Sequence, residues 1–103
     1  MAWVDVGPAD LAEGELRGIE VGERLVLLAR FNGRISALDD SCVHAGCLLS
    51  GGWVDSKKSA VVCPCHEYSF ELATGRNVTF PRLCGDQPGF QVRIENERVM
   101  IFL

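Results

Sequence analysis

Apolar stretches broken by short polar turns dominate the pattern of this chain. Residues 24–31 are rich in apolar β-forming side chains, Asn32-Gly33 tolerates the positive φ of a tight turn, and residues 34–38 alternate between polar and apolar. Residues 90–102 alternate in the same way around a turn at Asn96-Glu97. We therefore predict two β-hairpins that form a rigid base.

The remaining apolar runs are shorter and predict smaller elements. Further strands are expected at residues 3–6, 15–21 and 59–62, with turns at 51–52 and 73–76. A single helical turn is expected at residues 8–11, because proline suits the first position of a helix. Trp3 and Trp53 are interpreted as core or platform residues. The predicted fold class is all-β.

Composition limits the size and the partners of the protein. With 103 residues, 48% of them hydrophobic, the chain fits one domain spanning residues 1–103. A net charge of -4 argues against nucleic acid, which needs a basic surface. No run approaches the length of a membrane span, so we expect a cytoplasmic protein without a membrane partner. In such a compartment, five cysteines are expected to include metal ligands.

The only two histidines each stand near a cysteine. Cys42 and His44 form a CxH pair, Cys63 and His66 lie in a Cys-Pro-Cys-His run, and both pairs follow predicted strands. Two thiolates and two imidazoles suit a tetrahedral zinc site, but zinc modules usually place at least two residues between paired ligands. If each loop instead gives one ligand to each of two irons, the cysteines bind one iron and the histidines the other, as in a Rieske [2Fe-2S] centre.

Two segments carry a resemblance to a known family. Residues 42–49 and 63–70 resemble the two ligand boxes of the Rieske family, and residues 72–75 are similar to the segment that follows the second box in Rieske-type ferredoxins. The resemblance implies an antiparallel β-sandwich with two cluster-binding loops within residues 41–82. It also implies one [2Fe-2S] cluster, with Cys42, His44, Cys63 and His66 as its ligands.

The same resemblance assigns roles to residues around the ligands. Cysteines at the places of Cys47 and Cys65 form a disulfide between the loops in respiratory and photosynthetic relatives, so a disulfide is expected here. Cys84 is left over and is interpreted as a core residue. Three residues are expected to shield the cluster from water: Leu48, Leu49 and Pro81.

The second box also predicts the reduction potential. High-potential relatives resemble Cys-Pro-Cys-His-x-Ser-x-Tyr, whose two hydroxyls donate hydrogen bonds to sulfur, whereas this chain has Tyr68 and Phe70 there. We therefore expect a potential near the low end of the range of about -150 to +300 mV that Rieske centres cover. Glu67 stands where a glycine is common and is interpreted as a solvated loop residue.

No apparatus for converting an organic substrate is visible. Both histidines are committed to the cluster, and nucleotide-binding glycine motifs are absent. We therefore interpret the chain as a one-electron carrier without a small-molecule substrate. By resemblance, it would accept electrons from a flavin-dependent reductase and pass them to a ring-hydroxylating oxygenase. The alternatives are a small subunit of a nitrite reductase or arsenite oxidase, a structural zinc module, or a redox sensor.

Overall fold

A computed structural model describes residues 2–42, 46–65, 67–79 and 85–103 of the chain. Within these residues it contains ten β-strands and one short 3-10 helix, Leu49–Gly51. None of the helical residues in this described part forms a segment with the length and apolar character needed to cross a membrane. The strands are β1 Trp3–Pro8, β2 Leu16–Val21, β3 Arg24–Phe31, β4 Arg34–Asp39, β5 Trp53–Asp55, β6 Ala60–Val62, β7 Ser69–Glu71, β8 Gly89–Phe90, β9 Val92–Glu95 and β10 Arg98–Phe102.

The strands form three sheets in which every neighbouring pair is antiparallel. The terminal sheet has the order β1-β10-β9, the central sheet β2-β3-β4-β8, and the small sheet β5-β6-β7. The antiparallel, nearly all-β fold class predicted from the sequence is therefore confirmed.

The central sheet is covered on both faces. Four consecutive residues of β3, 26–29, are buried, although a strand exposed on one face would bury only alternate residues. Val26 and Leu28 pack with Val99 and Ile101 of the terminal sheet. On the opposite face, the second core combines residues of the central and small sheets with two cysteines: Leu27, Ala29, Leu38, Cys42, Leu49, Val61, Cys63, Phe70 and Leu72. The predicted cluster region thus rests directly on the central sheet.

Both predicted hairpins are present. Asn32 and Gly33 adopt φ of 53° and 75° between β3 and β4, and Asn96 and Glu97 adopt φ of 49° and 62° between β9 and β10. One detail of the second hairpin differs from the prediction, because Phe90 belongs to β8 and pairs with Ala37 of the central sheet. The chain changes sheets at residue 91, so one alternating stretch supplies strands to two sheets.

The predicted helical turn at residues 8–11 is wrong. Pro8 is the last residue of β1, where it pairs with Arg98 after an irregularity that begins at Asp5. Because β1 is an edge strand of the terminal sheet, the missing N–H of a proline is tolerated there. Leu11 then turns inward and is buried beside Val26. Leu11 is therefore a core contact of an irregular segment.

Candidate metal centre

Two six-residue loops each begin with a cysteine. The residues on either side of each loop pair with one another and close it. The first loop, residues 42–47, follows β4 and is closed by a bridge between Ser41 and Leu48. The second loop, residues 63–68, follows β6 and is closed by the pairing of Val62 with Ser69. The prediction that both ligand pairs lie in loops after strands is confirmed for Cys42 and Cys63.

The loops share one hydrogen-bonding pattern. The N–H of Cys42 donates to the carbonyl oxygen five residues later at 2.8 Å, and its own carbonyl accepts from the N–H of Gly46 at 2.8 Å. The N–H of Cys63 likewise donates to the carbonyl five residues later at 2.8 Å, and its carbonyl accepts from the N–H of Glu67 at 3.0 Å. Cys42 and Cys63 therefore occupy equivalent positions in two similar loops.

Each loop also has a residue in the left-handed backbone conformation four positions after its cysteine. Gly46 has φ of 71° and Glu67 has φ of 57°. Glycine adopts this conformation freely, whereas another residue pays roughly 1–2 kcal/mol for it. The structure places Glu67 on the surface, as expected, and adds that its backbone is strained there.

The loops bring sulfur atoms together. Cys42 and Cys63 are 2% and 0% exposed and stand outside any disulfide, while Cys47 and Cys65 form the expected disulfide with a Cα–Cα distance of 6.4 Å. The Sγ atoms of Cys47, Cys63 and Cys65 lie within 4.8 Å of one another. The disulfide therefore ties the first loop to the second beside the buried thiol of Cys63.

The thiols of Cys42 and Cys63 fit half of the ligand set of an iron–sulfur cluster. Buried thiols at equivalent positions of facing loops are the donors that a soft metal centre requires. The predicted imidazole ligands His44 and His66 lie outside the described residues, as do Pro81 and Cys84. The burial of Cys42 and Cys63 in one core fits the predicted ligand set, and the assignment of all four ligands stays a prediction.

The predicted neighbours of the cluster differ in exposure. Leu49 and Phe70 are fully buried in the core that contains both cysteines, and Tyr68 packs half-buried against it. Leu48 is 45% exposed, and its shielding role stays a prediction. Trp53 is 47% exposed, so of its two interpretations the core residue is wrong and the platform residue stays a prediction.

A buried carboxylate at the base of the first loop is one feature that the sequence analysis missed. Asp40 is 2% exposed, and its two oxygens accept hydrogen bonds at 2.7 Å from the N–H and the hydroxyl of Ser50. A Cβ on Gly18 would lie 2.6 Å from the hydroxyl oxygen of Ser50, so only glycine fits there without displacement. Asp40 thereby joins the base of the first loop to the 3-10 helix, and Gly18 of β2 lies close against both side chains.

Gln87 is a second missed residue. Its buried side-chain amide donates to the carbonyl oxygens of Asp39 and Ser41, each at 2.6 Å. These hydrogen bonds fix the chain on both sides of Asp40, immediately before the first loop. A lone glutamine in a segment rich in polar residues gives no signal in a pattern of hydrophobicity, and only the fold reveals its burial.

A groove on the protein surface lies away from the two loops. It has a volume of about 980 Å³ and is lined by residues that include Arg34, Ile35 and Arg98. Because β4 starts at Arg34 and Cys42 follows eight positions later, the chain between them spans up to about 25 Å. The hydrogen bonds from Arg98 lower the pKa of the Asp5 carboxyl on β1. None of the described residues that line this groove belongs to either loop, so the groove has no part in the metal centre.

Comparison with known proteins identifies the kind of centre. The Rieske [2Fe-2S] domain family matches residues 2–93. The ferredoxin component of the naphthalene 1,2-dioxygenase/salicylate 5-hydroxylase systems of Ralstonia sp is 32% identical over 100 residues, covering 96% of this chain and 93% of the relative. The ferredoxin component of the naphthalene 1,2-dioxygenase system of Pseudomonas putida is 31% identical over 102 residues, covering 98% and 95%. The chain thus resembles separate ferredoxins along almost its whole length.

Solved structures agree with this match. The ferredoxin of carbazole 1,9a-dioxygenase from Nocardioides aromaticivorans IC177 superposes with a TM-score of 0.87 at 22% identity, covering 98% of this chain and 97% of that one, which shows the same fold. A chain in a complex of reduced oxygenase and oxidized ferredoxin in carbazole 1,9a-dioxygenase matches with a TM-score of 0.85 at 27% identity, covering 96% and 91%. The protein therefore belongs to the Rieske [2Fe-2S] domain family, whose cluster is held by two cysteines and two histidines.

Proposed function

We propose that this protein is the ferredoxin component of a multicomponent oxygenase system. It is a one-electron carrier, and the cluster, when bound, accepts one electron and gives it up again. The observation that carries the proposal is the match to ferredoxin components, which covers 93% and 95% of the length of those relatives at 32% and 31% identity. The proposed electron donor is a flavin-dependent reductase, and the proposed acceptor is a terminal ring-hydroxylating oxygenase.

Within this proposal, Cys42 and Cys63 bind one iron, and His44 and His66 bind the other. The equivalent hydrogen bonds and the burial of both cysteines support their assignment to the same iron. Residues 1–103 then form one domain in which residues 41–82 enclose the cluster. Cytoplasmic location stays part of the proposal.

The alternatives considered from the sequence are not favoured. Membership of the Rieske family replaces the structural zinc module with a two-iron centre. The similarity to a putative nitrite reductase small subunit from Mycobacterium tuberculosis, at 22% identity, shows the fold alone. A redox sensor has no supporting relative among those compared.

Electron transfer in a reconstituted system tests the proposal. The oxidised protein is mixed without oxygen with NADH and purified candidate reductases, and reduction is followed by the visible absorption of the cluster. The reduced protein is then mixed with oxidised terminal oxygenase. We expect reduction in the first step and reoxidation in the second, and product should form once oxygen and the organic substrate of the oxygenase are added. Failure of every candidate reductase and oxygenase to exchange electrons with an intact cluster would overturn the proposed function.

The reduction potential offers a prediction about the second loop. Phe70 is fully buried in the core that contains both cysteines. By resemblance, this chain has Tyr68 and Phe70 where high-potential relatives have a serine and a tyrosine. The double variant Tyr68→Ser/Phe70→Tyr is expected to raise the reduction potential by about 100 mV, because it adds two hydroxyl donors near the cluster. If each hydrogen bond is about 1.4 kcal/mol stronger with the reduced cluster than with the oxidised one, each donor contributes about 59 mV. A redox titration followed by circular dichroism measures the change.

The matched control for this prediction is Phe102→Tyr. Phe102 packs against Trp3 in the terminal sheet, with ring centroids 5.4 Å apart, and is remote from the loops. Its substitution is expected to leave the potential unchanged. An unchanged potential in the double variant with a full cluster would contradict this prediction.

A further inference from the structure

A surface next to both cluster loops combines exposed apolar side chains with one carboxylate. Leu48 and Trp53 are 45% and 47% exposed, and Pro64 and Glu67 of the second loop are also exposed. We call these four residues the loop face. Large exposed apolar side chains grouped at one place mark interaction surfaces on soluble proteins.

Gly51 links Leu48 to Pro64 of the second loop, the loop that also carries Glu67. The N–H of Gly51 donates to the carbonyl of Leu48 at 3.1 Å, and a Cβ on Gly51 would lie 3.8 Å from Cγ of Pro64. Trp53 pairs with Val62, the residue that enters the second loop. A partner that covers these side chains therefore approaches the cluster itself.

Glu67 is the charged residue among the four that form the loop face. Within the described residues, no cation pairs with its carboxylate, whereas Asp5 is paired with Arg98 and Asp10 with Arg17. Its backbone is held in the left-handed region although Gly46 fills the equivalent position of the first loop. Such strain persists where the surrounding structure enforces it, and it collects at functional sites.

We propose that Glu67 is a specificity determinant that pairs with a basic side chain of the terminal oxygenase, while Leu48 and Trp53 provide the apolar contacts. This inference rests on the proposed function. A carboxylate at an apolar surface selects a partner of opposite charge and speeds encounter, and the apolar side chains slow dissociation. The oxygenase is the chosen occupant because a ferredoxin of this fold forms a complex with an oxygenase.

The chain supplies matched controls for the carboxylate and the apolar side chains. Glu97 is an exposed glutamate with φ of 62° in the turn between β9 and β10, far from the loops. Ile94 on β9 is 49% exposed, which matches Leu48. The test compares Glu67→Gln, Glu67→Arg and Leu48→Ala with Glu97→Gln, Glu97→Arg and Ile94→Ala.

The experiment follows reoxidation of dithionite-reduced protein by the terminal oxygenases of the carbazole 1,9a-dioxygenase and naphthalene 1,2-dioxygenase systems in stopped flow. The potential of each variant is measured first, so that a changed driving force is recognised. At low salt we expect Glu67→Gln to slow the second-order rate about fivefold and Glu67→Arg by more. The difference should vanish near 1 M salt, where the Debye length is about 3 Å. Leu48→Ala should weaken binding about tenfold at any salt concentration.

Distinct outcomes separate the two proposals. If the unmodified protein transfers electrons to neither oxygenase, the proposed function fails. If it transfers electrons and Glu67→Arg matches Glu97→Arg, the role of Glu67 is overturned. If Glu67→Arg slows reduction by the reductase as much as reoxidation by the oxygenase, the assignment to the oxygenase is overturned. Slowing confined to the oxygenase step, with both Glu97 variants unchanged, supports the inference.

Discussion

A Cys63→Ser variant is expected to fold without a cluster, with iron content near zero and no visible absorption. Serine offers a protonated hydroxyl in place of a thiolate, so one iron loses half of its protein ligands and the site loses a negative charge that balances the metal. Cys63 is 0% exposed, and water cannot readily take its place. Iron and acid-labile sulfide per chain, together with the visible spectrum, measure the loss. Cys42→Ser is expected to behave in the same way because of the equivalent loop position.

The control for this experiment uses the adjacent sulfur atoms. Cys47 and Cys65 have Sγ atoms within 4.8 Å of that of Cys63, but the disulfide keeps them from binding iron. Cys47→Ser/Cys65→Ser should therefore retain a full cluster. All samples are prepared without thiol reductant, since a freed Cys65 thiolate would be near enough to replace the missing ligand. Retention of the cluster in Cys63→Ser, together with its loss in Cys65→Ser, would move the ligand assignment from residue 63 to residue 65.

The parts of the fold that the sequence predicts are those with strong local signals. Asn32-Gly33 and Asn96-Glu97 adopt the positive φ that their residue types allow, so both hairpins follow from sequence. β5 and β7 were missed, because each has three residues and alternation needs a longer stretch. The change of sheets at residue 91 also leaves no mark, since Phe90 and Val92 continue one alternating pattern.

The candidate site also has parts that the sequence predicts and parts that it does not. The sequence offers the cysteines and histidines as candidate ligands because their types and spacing are chemically restrictive, and that assignment stays a prediction. The supports of the loops were not, because Asp40 and Gln87 act only after chain folding brings Ser50 and the carbonyls of residues 39 and 41 to them. The similarity of the two loops is likewise carried by backbone hydrogen bonds and φ angles, which different residues such as Gly46 and Glu67 provide.

Loss of the disulfide is expected to lower the free energy of unfolding of the cluster-free protein by about 3 kcal/mol. Cys47 and Cys65 are separated by 18 residues, and cross-linking a chain segment of that length removes about this much conformational freedom from the unfolded state. The cluster-free Cys63→Ser protein is compared with Cys63→Ser/Cys47→Ser/Cys65→Ser by equilibrium urea unfolding. The midpoint and the slope of each transition together give the change in the free energy of unfolding, since removal of a cross-link also expands the unfolded state.

Reduction provides the control, because it breaks the same bond without substitution. A thiol reductant should shift the unfolding of Cys63→Ser to that of the triple variant and leave the triple variant unchanged. A difference below about 1 kcal/mol would mean that strain in the folded loops cancels the entropic gain. Since domains of this size are stable by about 5–15 kcal/mol, a 3 kcal/mol link would be a substantial share of what holds the loops in place before iron is bound. The disulfide would then act chiefly on cluster assembly, and reconstitution of Cys47→Ser/Cys65→Ser with iron and sulfide should be slower than that of the unmodified chain.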